Sequence, residues 1–245
     1  MAPEHNLLPR AMSLASHELR TPLAVVGGYI RMVLKEQAGP LTEKQRKMLE
    51  EADRSCARIG TLIDEMSDLG KLESGVLSFT KQPLDLAALV AELASRMHEG
   101  GDRGVHLEIR GADRPLEIVG DRIRLETAIG ALMRAALRER GEPGAIVVEC
   151  LATDGDQPSA VVAIGDEEIV RELKHPSSGA RFDEWRGGGL GLALPVARRV
   201  VEAHGGTLWS GMRDGPRAGS AFRIPLKATD SQLKATDSQF GSNQR

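Results

Sequence analysis

Apolar side chains recur at three- and four-residue intervals at Leu8, Met12, Ala15, Leu19, Leu23, Val26, Ile30 and Val33, the single stripe of an amphipathic helix. The polar run EQAGPLTEKQ at 36–45 interrupts it, and the rhythm resumes at Met48, Ala52, Cys56, Ile59, Ile63, Met66 and Leu69. The pattern predicts a helical hairpin within residues 1–75. Two helices with one stripe each bury little surface alone, so two copies are expected to pair into a four-helix bundle, giving a homodimer.

After Gly75 the texture changes to short strand-like runs alternating with helical patterns. Strands are expected at VLSFT (76–80), VHLEIRG, LEIVG, AIVVECLA (145–152) and SAVVAIG (159–165), with helices at about 85–97 and 121–138. A Gly-, Ser- and charge-rich stretch from Asp166 to Gly189 reads as a long loop. A third helix, LGLALPVARRVVEAH, should stop at Gly205 and Gly206, and TLWSGMRD with SAFRIPL should close the sheet as a hairpin. Residues 76–227 are thus expected to form an α/β layer, with helices on one face of a mixed sheet. KATDSQ occurs at 227–232 and again at 234–239, and 228–245 reads as a disordered polar tail.

Composition narrows the classes of function. A net charge of −3 and a pI near 6.1, with basic residues spread along the chain, argue against nucleic acid as a partner. No stretch approaches the roughly 20 apolar residues of a membrane span and MAPEHNLLPR lacks a signal-peptide core, so a cytoplasmic location is expected. Cys56 and Cys150 lack CxxC spacing and read as small apolar residues. His98, His106 and His175 have no ligand-like spacing, and His204 at a helix end is accounted for by the helix dipole; no metal site is expected.

Chemistry concentrates at SHELRTPL, 16–23. His17 stands two residues from both Ala15 and Leu19, about 200° around the helix from each, and should face solvent. Pro22 removes the N–H that would bond the carbonyl of Glu18, so the helix should bend beside the His17–Glu18 pair. A solvent-facing imidazole next to a carboxylate suits a nucleophilic nitrogen, and Thr21, four residues on, shares the face of His17.

SHELRTPL, the long hairpin and DEMSDLGKLESG at 64–75 closely resemble the dimerisation and phosphoacceptor region of bacterial two-component sensor histidine kinases. The resemblance implies that His17 is phosphorylated, that Glu18 serves as base and that Thr21 supports phosphatase action on a response-regulator receiver domain. It also implies the fold class: a dimeric four-helix-bundle hairpin followed by an α/β sandwich of the histidine-kinase ATPase type. A sensory domain or protein is a further candidate partner.

A glycine cluster running into a helix lets backbone N–H groups approach phosphates at the positive end of the helix dipole. RGGGLGLALPVARRVVEAHGG, 186–206, resembles the glycine box of the same family's ATP-binding domain, which implies phosphate contacts from Gly187, Gly189 and Gly191. RFDEW resembles a shortened form of the aromatic motif in its ATP lid. Arg138 matches a phosphate-binding basic residue, and Asp166 matches the carboxylate that meets adenine. Two departures stand out. Ala131 and Ala135 occupy the positions of the asparagines in the family's NLLxNA helix, and a methyl group cannot ligate Mg²⁺. Asp166 is followed by Glu167, Glu168 and Ile169 where the family has glycines, and added carboxylates repel a polyanion.

ATP and Mg²⁺ are therefore the cofactors implied by resemblance, at a site that looks degenerate. Three readings follow: a phosphotransfer or phosphatase component with impaired ATP use, an ATP-dependent autokinase, and a non-catalytic dimeric scaffold or pseudokinase. The resemblance implies that returning the oxygen ligand with Ala135→Asn, alone or with Gly in place of Glu168, should raise nucleotide affinity if the glycine loop retains its phosphate-binding shape.

Overall fold

The computed structural model describes residues 7–98, 100–154, 157–174, 180–185, 191–211 and 219–227. The chain divides into two compact units, residues 1–78 with 189–199 and residues 79–188 with 200–245.

The first unit is built on helix α1 (Leu7–Leu34) and helix α2 (Glu43–Glu73). α1 continues through Pro22 as one element. The turn tightens at Glu36, with φ of 57°, and Gly39, with φ of 116°. Arg46 then bonds the carbonyl of Leu34 at 3.3 Å and pairs with Glu36 at 2.5 Å. α2 starts with a reciprocal cap: the Thr42 hydroxyl accepts from the Gln45 N–H, while the Gln45 side chain accepts from the Thr42 N–H at 2.9 Å. Both orphan donors are thereby satisfied.

The helices run antiparallel, as ion pairs at matching distances from the turn show: Arg20–Asp64 at 2.8 Å and Arg31–Asp53 at 3.3 Å. Gly70 permits the closest approach, because a Cβ there would lie 3.1 Å from the Pro9 carbonyl oxygen. Ser16, buried, satisfies its hydroxyl by donating to the Met12 carbonyl at 2.7 Å. Ile63 is 4% exposed, so Ile63→Asp would bury an unpaired charge. It is expected to cost the hairpin about 3 kcal/mol, read as an earlier loss of helical circular dichroism on heating.

The second unit carries β1 (Gln82–Asp85), α3 (Leu86–Ser95), β2 (Val105–Arg110), β3 (Glu117–Gly120), α4 (Arg122–Glu139), β4 (Gly144–Thr153) and β5 (Ser159–Gly165). It continues with α5 (Glu167–Leu173), β6 (Ala180–Arg181), α6 (Ala193–Ala203), β7 (Thr207–Ser210) and β8 (Ser220–Pro225); α6 spans the division between the units. Six strands form one sheet in the order β2-β4-β5-β8-β7-β6, with β2 parallel to β4 and the other pairs antiparallel; β1 and β3 form a separate pair. The mixed sheet and the β7–β8 hairpin agree with the sequence pattern.

β5 is buried along its whole length, so both faces of the sheet are covered. Val148, Cys150, Val162, Ile164 and Phe222 share one face by register. Val147, Val161, Ala163, Ala221 and Trp209 share the other, where they cluster with Ile169, Val170 and Leu173 of α5. Here the structure departs from the expected long loop and from helices on one face only. EEIVREL is short and charged, yet its apolar positions fall three and four apart. The Trp209 indole N–H donates to the Leu173 carbonyl at 3.0 Å, Lys174 pairs with Glu149 at 2.7 Å, and Arg110 with Glu167 at 2.7 Å.

VLSFT is the second departure. β1 lies at 82–85 instead, because β3 is four residues long and the register Gln82↔Gly120 ends where Asp121 begins to cap α4. Residues 76–80 thus have no strand to pair with, and the Thr80 N–H is taken by the Asp121 carboxylate at 2.9 Å.

Candidate functional site

α1 presents His17 to solvent, as the apolar stripe requires, and the side chain is exposed. An open groove along α1 is lined by His17, Arg20, Thr21, Ala24 and Val25, the i, i+3, i+4, i+7, i+8 stripe that one helix face brings together. The threonine thus joins the imidazole. Glu18, also exposed, is next to His17 in the chain but is not among the groove's lining residues. Arg20 is the member that motif reading missed. The signal was its three-residue spacing from His17, and the structure adds its partner, Asp64 of α2.

The nucleotide-site candidates are placed differently. Ala131 is 1% and Ala135 0% exposed, within a stretch of α4 whose ten buried residues run from Leu125 to Leu137. A helix apolar nearly all round is enclosed, and neither position offers an oxygen ligand. Arg138 is exposed in the last turn of α4. Asp166 is the N-cap of α5, its carboxylate accepting from the Ile169 N–H at 2.9 Å. A carboxylate so engaged neutralises the helix's orphan donors. Glu167 is engaged with Arg110. Gly191 has φ of 62°, in the left-handed region; Gly187 and Gly189 lie outside the described residues, as do His175 and the tail 228–245.

Two hydroxyls add a polar feature that the sequence reading passed over. Ser210 and Ser220 stand opposite each other across β7 and β8, and Ser220 also pairs with Ile164, two residues before Asp166. Both Oγ atoms are buried and have no hydrogen-bond partner among the described residues. The signal was a serine in the otherwise apolar inward register of β8.

His204, accounted for in the sequence by the helix dipole, is buried. Its Nε2 accepts from the Asp121 N–H at 2.9 Å and its Nδ1 lies 2.7 Å from the Val200 carbonyl. Burial holds its pKa below the usual histidine value, which replaces the dipole account. Cys150 is buried and its thiol pushed up to about 12, first by burial, so it is inert. Among the described residues there is no cluster of metal-ligating side chains, and no helix is long and apolar enough to cross a membrane.

Comparison with known proteins gives these placements a family. Residues 10–75 match the His Kinase A (phospho-acceptor) domain, and residues 120–230 match the histidine kinase-, DNA gyrase B- and HSP90-like ATPase domain. Over 218 residues the chain is 31% identical to the signal transduction histidine-protein kinase BarA of Escherichia coli K12, covering 84% of this chain and 23% of that protein. It is 30% identical over 222 residues to the probable sensor histidine kinase TcrY of Mycobacterium tuberculosis, covering 86% and 44%. Among solved structures, full-length ShkA in complex with AMPPNP has a TM-score of 0.67 at 23% identity, covering 91% of this chain and 47% of that one. The Acinetobacter baumannii histidine kinase AdeS has a TM-score of 0.56 at 19% identity, covering 86% and 98%. The chain belongs to the two-component sensor histidine kinase family. It spans less than half the length of these curated relatives.

Proposed function

We propose that this chain is a phosphotransfer component of a two-component system, in which His17 exchanges a phosphoryl group with the aspartate of a response-regulator receiver domain while use of ATP is impaired. The observation that carries this reading is a contrast within the chain. His17 and Thr21 lie open on one groove, whereas the α4 positions that would hold a metal are enclosed alanines.

In the exchange, the lone pair of one imidazole nitrogen attacks phosphorus, the P–O bond to the receiver aspartate breaks, and the carboxylate leaves. The ring's other nitrogen gives up its proton, for which Glu18 is the neighbouring base. Thr21, on the same face, positions water for the phosphatase step, in which water attacks phosphorus and the P–O bond to the receiver aspartate breaks to release phosphate. Two copies form the working unit, since Leu14, Leu19, Val25, Val26, Tyr29 and Met32 leave much of the apolar surface of α1 exposed in a single chain, more than a monomer ordinarily leaves uncovered.

ATP with Mg²⁺ does not fit the residues present: Ala131 and Ala135 of α4 offer no oxygen ligand, and the Asp166 carboxylate is engaged in capping α5. A second reading, ATP-dependent autophosphorylation, is favoured by the unpartnered Ser210 and Ser220 hydroxyls, which a hydrogen-bonding ligand would satisfy, and by the ATPase family match.

Receiver domain carrying labelled aspartyl phosphate is expected to pass label to the wild-type chain and none to His17→Ala, while Thr21→Ala retains transfer and slows release of phosphate to water. Label on His17→Ala would overturn the assignment. Calorimetric titration with ATP decides between the readings: tight, Mg²⁺-dependent binding would establish the second.

A further inference from the structure

We propose that Arg20 binds the phosphoryl oxygens at His17, and that Asp64, its ion-pair partner on α2, positions it. The inference rests on His17 as phosphoacceptor and adds the group that neutralises the incoming charge. Phosphoryl transfer is governed mainly by positioning and charge neutralisation, and Arg20 is the cation lining the groove with His17. It stands one helical turn from the imidazole, where side chains three residues apart meet.

The geometry leaves Arg20 capacity to act. One terminal nitrogen reaches Asp64 Oδ1 at 2.8 Å, and a guanidinium carries five N–H donors, so the rest of the fork remains for a phosphoryl group, which it binds in bidentate fashion. Ala24 and Val25 complete the groove with apolar surface. The pair itself is open, with side chains 53% and 70% exposed, and an exposed pair of this kind contributes little to stability. Removing Arg20 should therefore leave the hairpin folded. It would, however, leave the Asp64 carboxylate unneutralised beside the site, repelling the anion.

Phosphoramidate supplies a phosphoryl group without a receiver domain: its P–N bond breaks, ammonia leaves and a new P–N bond forms to imidazole. Labelling is followed by peptide mass spectrometry at His17, with exposed His106 as reference within the same molecule. The wild-type chain is expected to label His17 faster than His106. Arg20→Gln should lower the His17-to-His106 ratio about tenfold, the scale of a charge-assisted contact. Arg20→Lys should hold it within about threefold of wild type because the charge is retained. Adding Asp64→Asn to Arg20→Gln should recover part of the loss by removing the exposed anion. A ratio unchanged in Arg20→Gln, or equal slowing at both histidines, would overturn the role of Arg20. Labelling of wild-type His17 no faster than His106 would instead overturn His17 as the privileged acceptor.

Discussion

Ala135→Asn is expected to destabilise the second unit without restoring nucleotide binding. The family resemblance by itself argues the opposite, since the substitution returns an oxygen ligand to a helix of the ATPase type. Position 135 is, however, fully buried, and Ala131 one turn before it is 1% exposed. An asparagine there brings two extra polar heavy-atom groups into space already filled. Overpacking costs about 1–3 kcal/mol, and an amide left without partners costs about 1–3 kcal/mol more. The sum, roughly 4 kcal/mol, corresponds to a fall of about 12 °C in the midpoint of a domain of this size. Differential scanning calorimetry would read the fall, and titration with Mg²⁺–ATP should show no gain. A variant as stable as wild type that binds Mg²⁺–ATP tightly would mean that α4 borders an open site and that the missing asparagine alone impairs ATP use in the wild-type chain.

The hairpin was legible because each helix carries an uninterrupted apolar rhythm and the turn between them carries Gly39 and Pro40; exposure of His17 followed from its angle to that stripe. The strands β4 and β5 were legible as continuous apolar runs, and burial on both faces is the reason they do not alternate. α5 was not. Seven residues carry too few periods to be told from a charged loop, and what makes the helix is tertiary: the Asp166 cap, the Trp209 bond to Leu173 and three apolar contacts with the sheet. VLSFT failed for a related reason, since β-propensity selects a strand only where a partner strand reaches. At the candidate site, adjacency in the chain drew attention to Glu18, whereas the helix groups His17 with Arg20 and Thr21. The apolar rhythm of α4 pointed to packing of Ala135, but sequence identifies a missing ligand without showing whether space for one survives.

Lowering the pH from 8 to 5.5 is expected to destabilise the second unit, and His204→Gln to remove much of that dependence. His204 ties three pieces together: its Nε2 accepts the Asp121 N–H at the start of α4, its Nδ1–H donates to Val200 of α6, and its ring meets Phe79 edge-on at 5.4 Å. Both nitrogens are committed, so a proton on Nε2 would displace the Asp121 N–H. Burial is the main reason its pKa is lowered; nearby Lys81 acts in the same direction, while the Val200 carbonyl and the Asp121 charge oppose it. Asp121 is not the titrating partner in this range. Desolvation works to raise its pKa, but the Thr80 and Arg124 N–H bonds and the charges of Arg124 and His204 leave it lowered overall. The sign follows from the histidine. Above about pH 7.5 neither state binds the proton, since the unfolded pKa is about 6.5. Below about 6.5 the unfolded chain takes up a proton that the folded chain refuses, so stability falls by as much as about 1.4 kcal/mol per pH unit until the folded pKa is reached. Glutamine can still accept from Asp121 but does not titrate, so the difference in melting temperature between wild type and His204→Gln should narrow steadily from pH 7.5 to 5.5. His204→Leu, which orphans the buried Asp121 N–H, should cost about 2–3 kcal/mol at pH 8. Parallel melting curves for wild type and His204→Gln across this range would show that His204 is not held neutral by the fold.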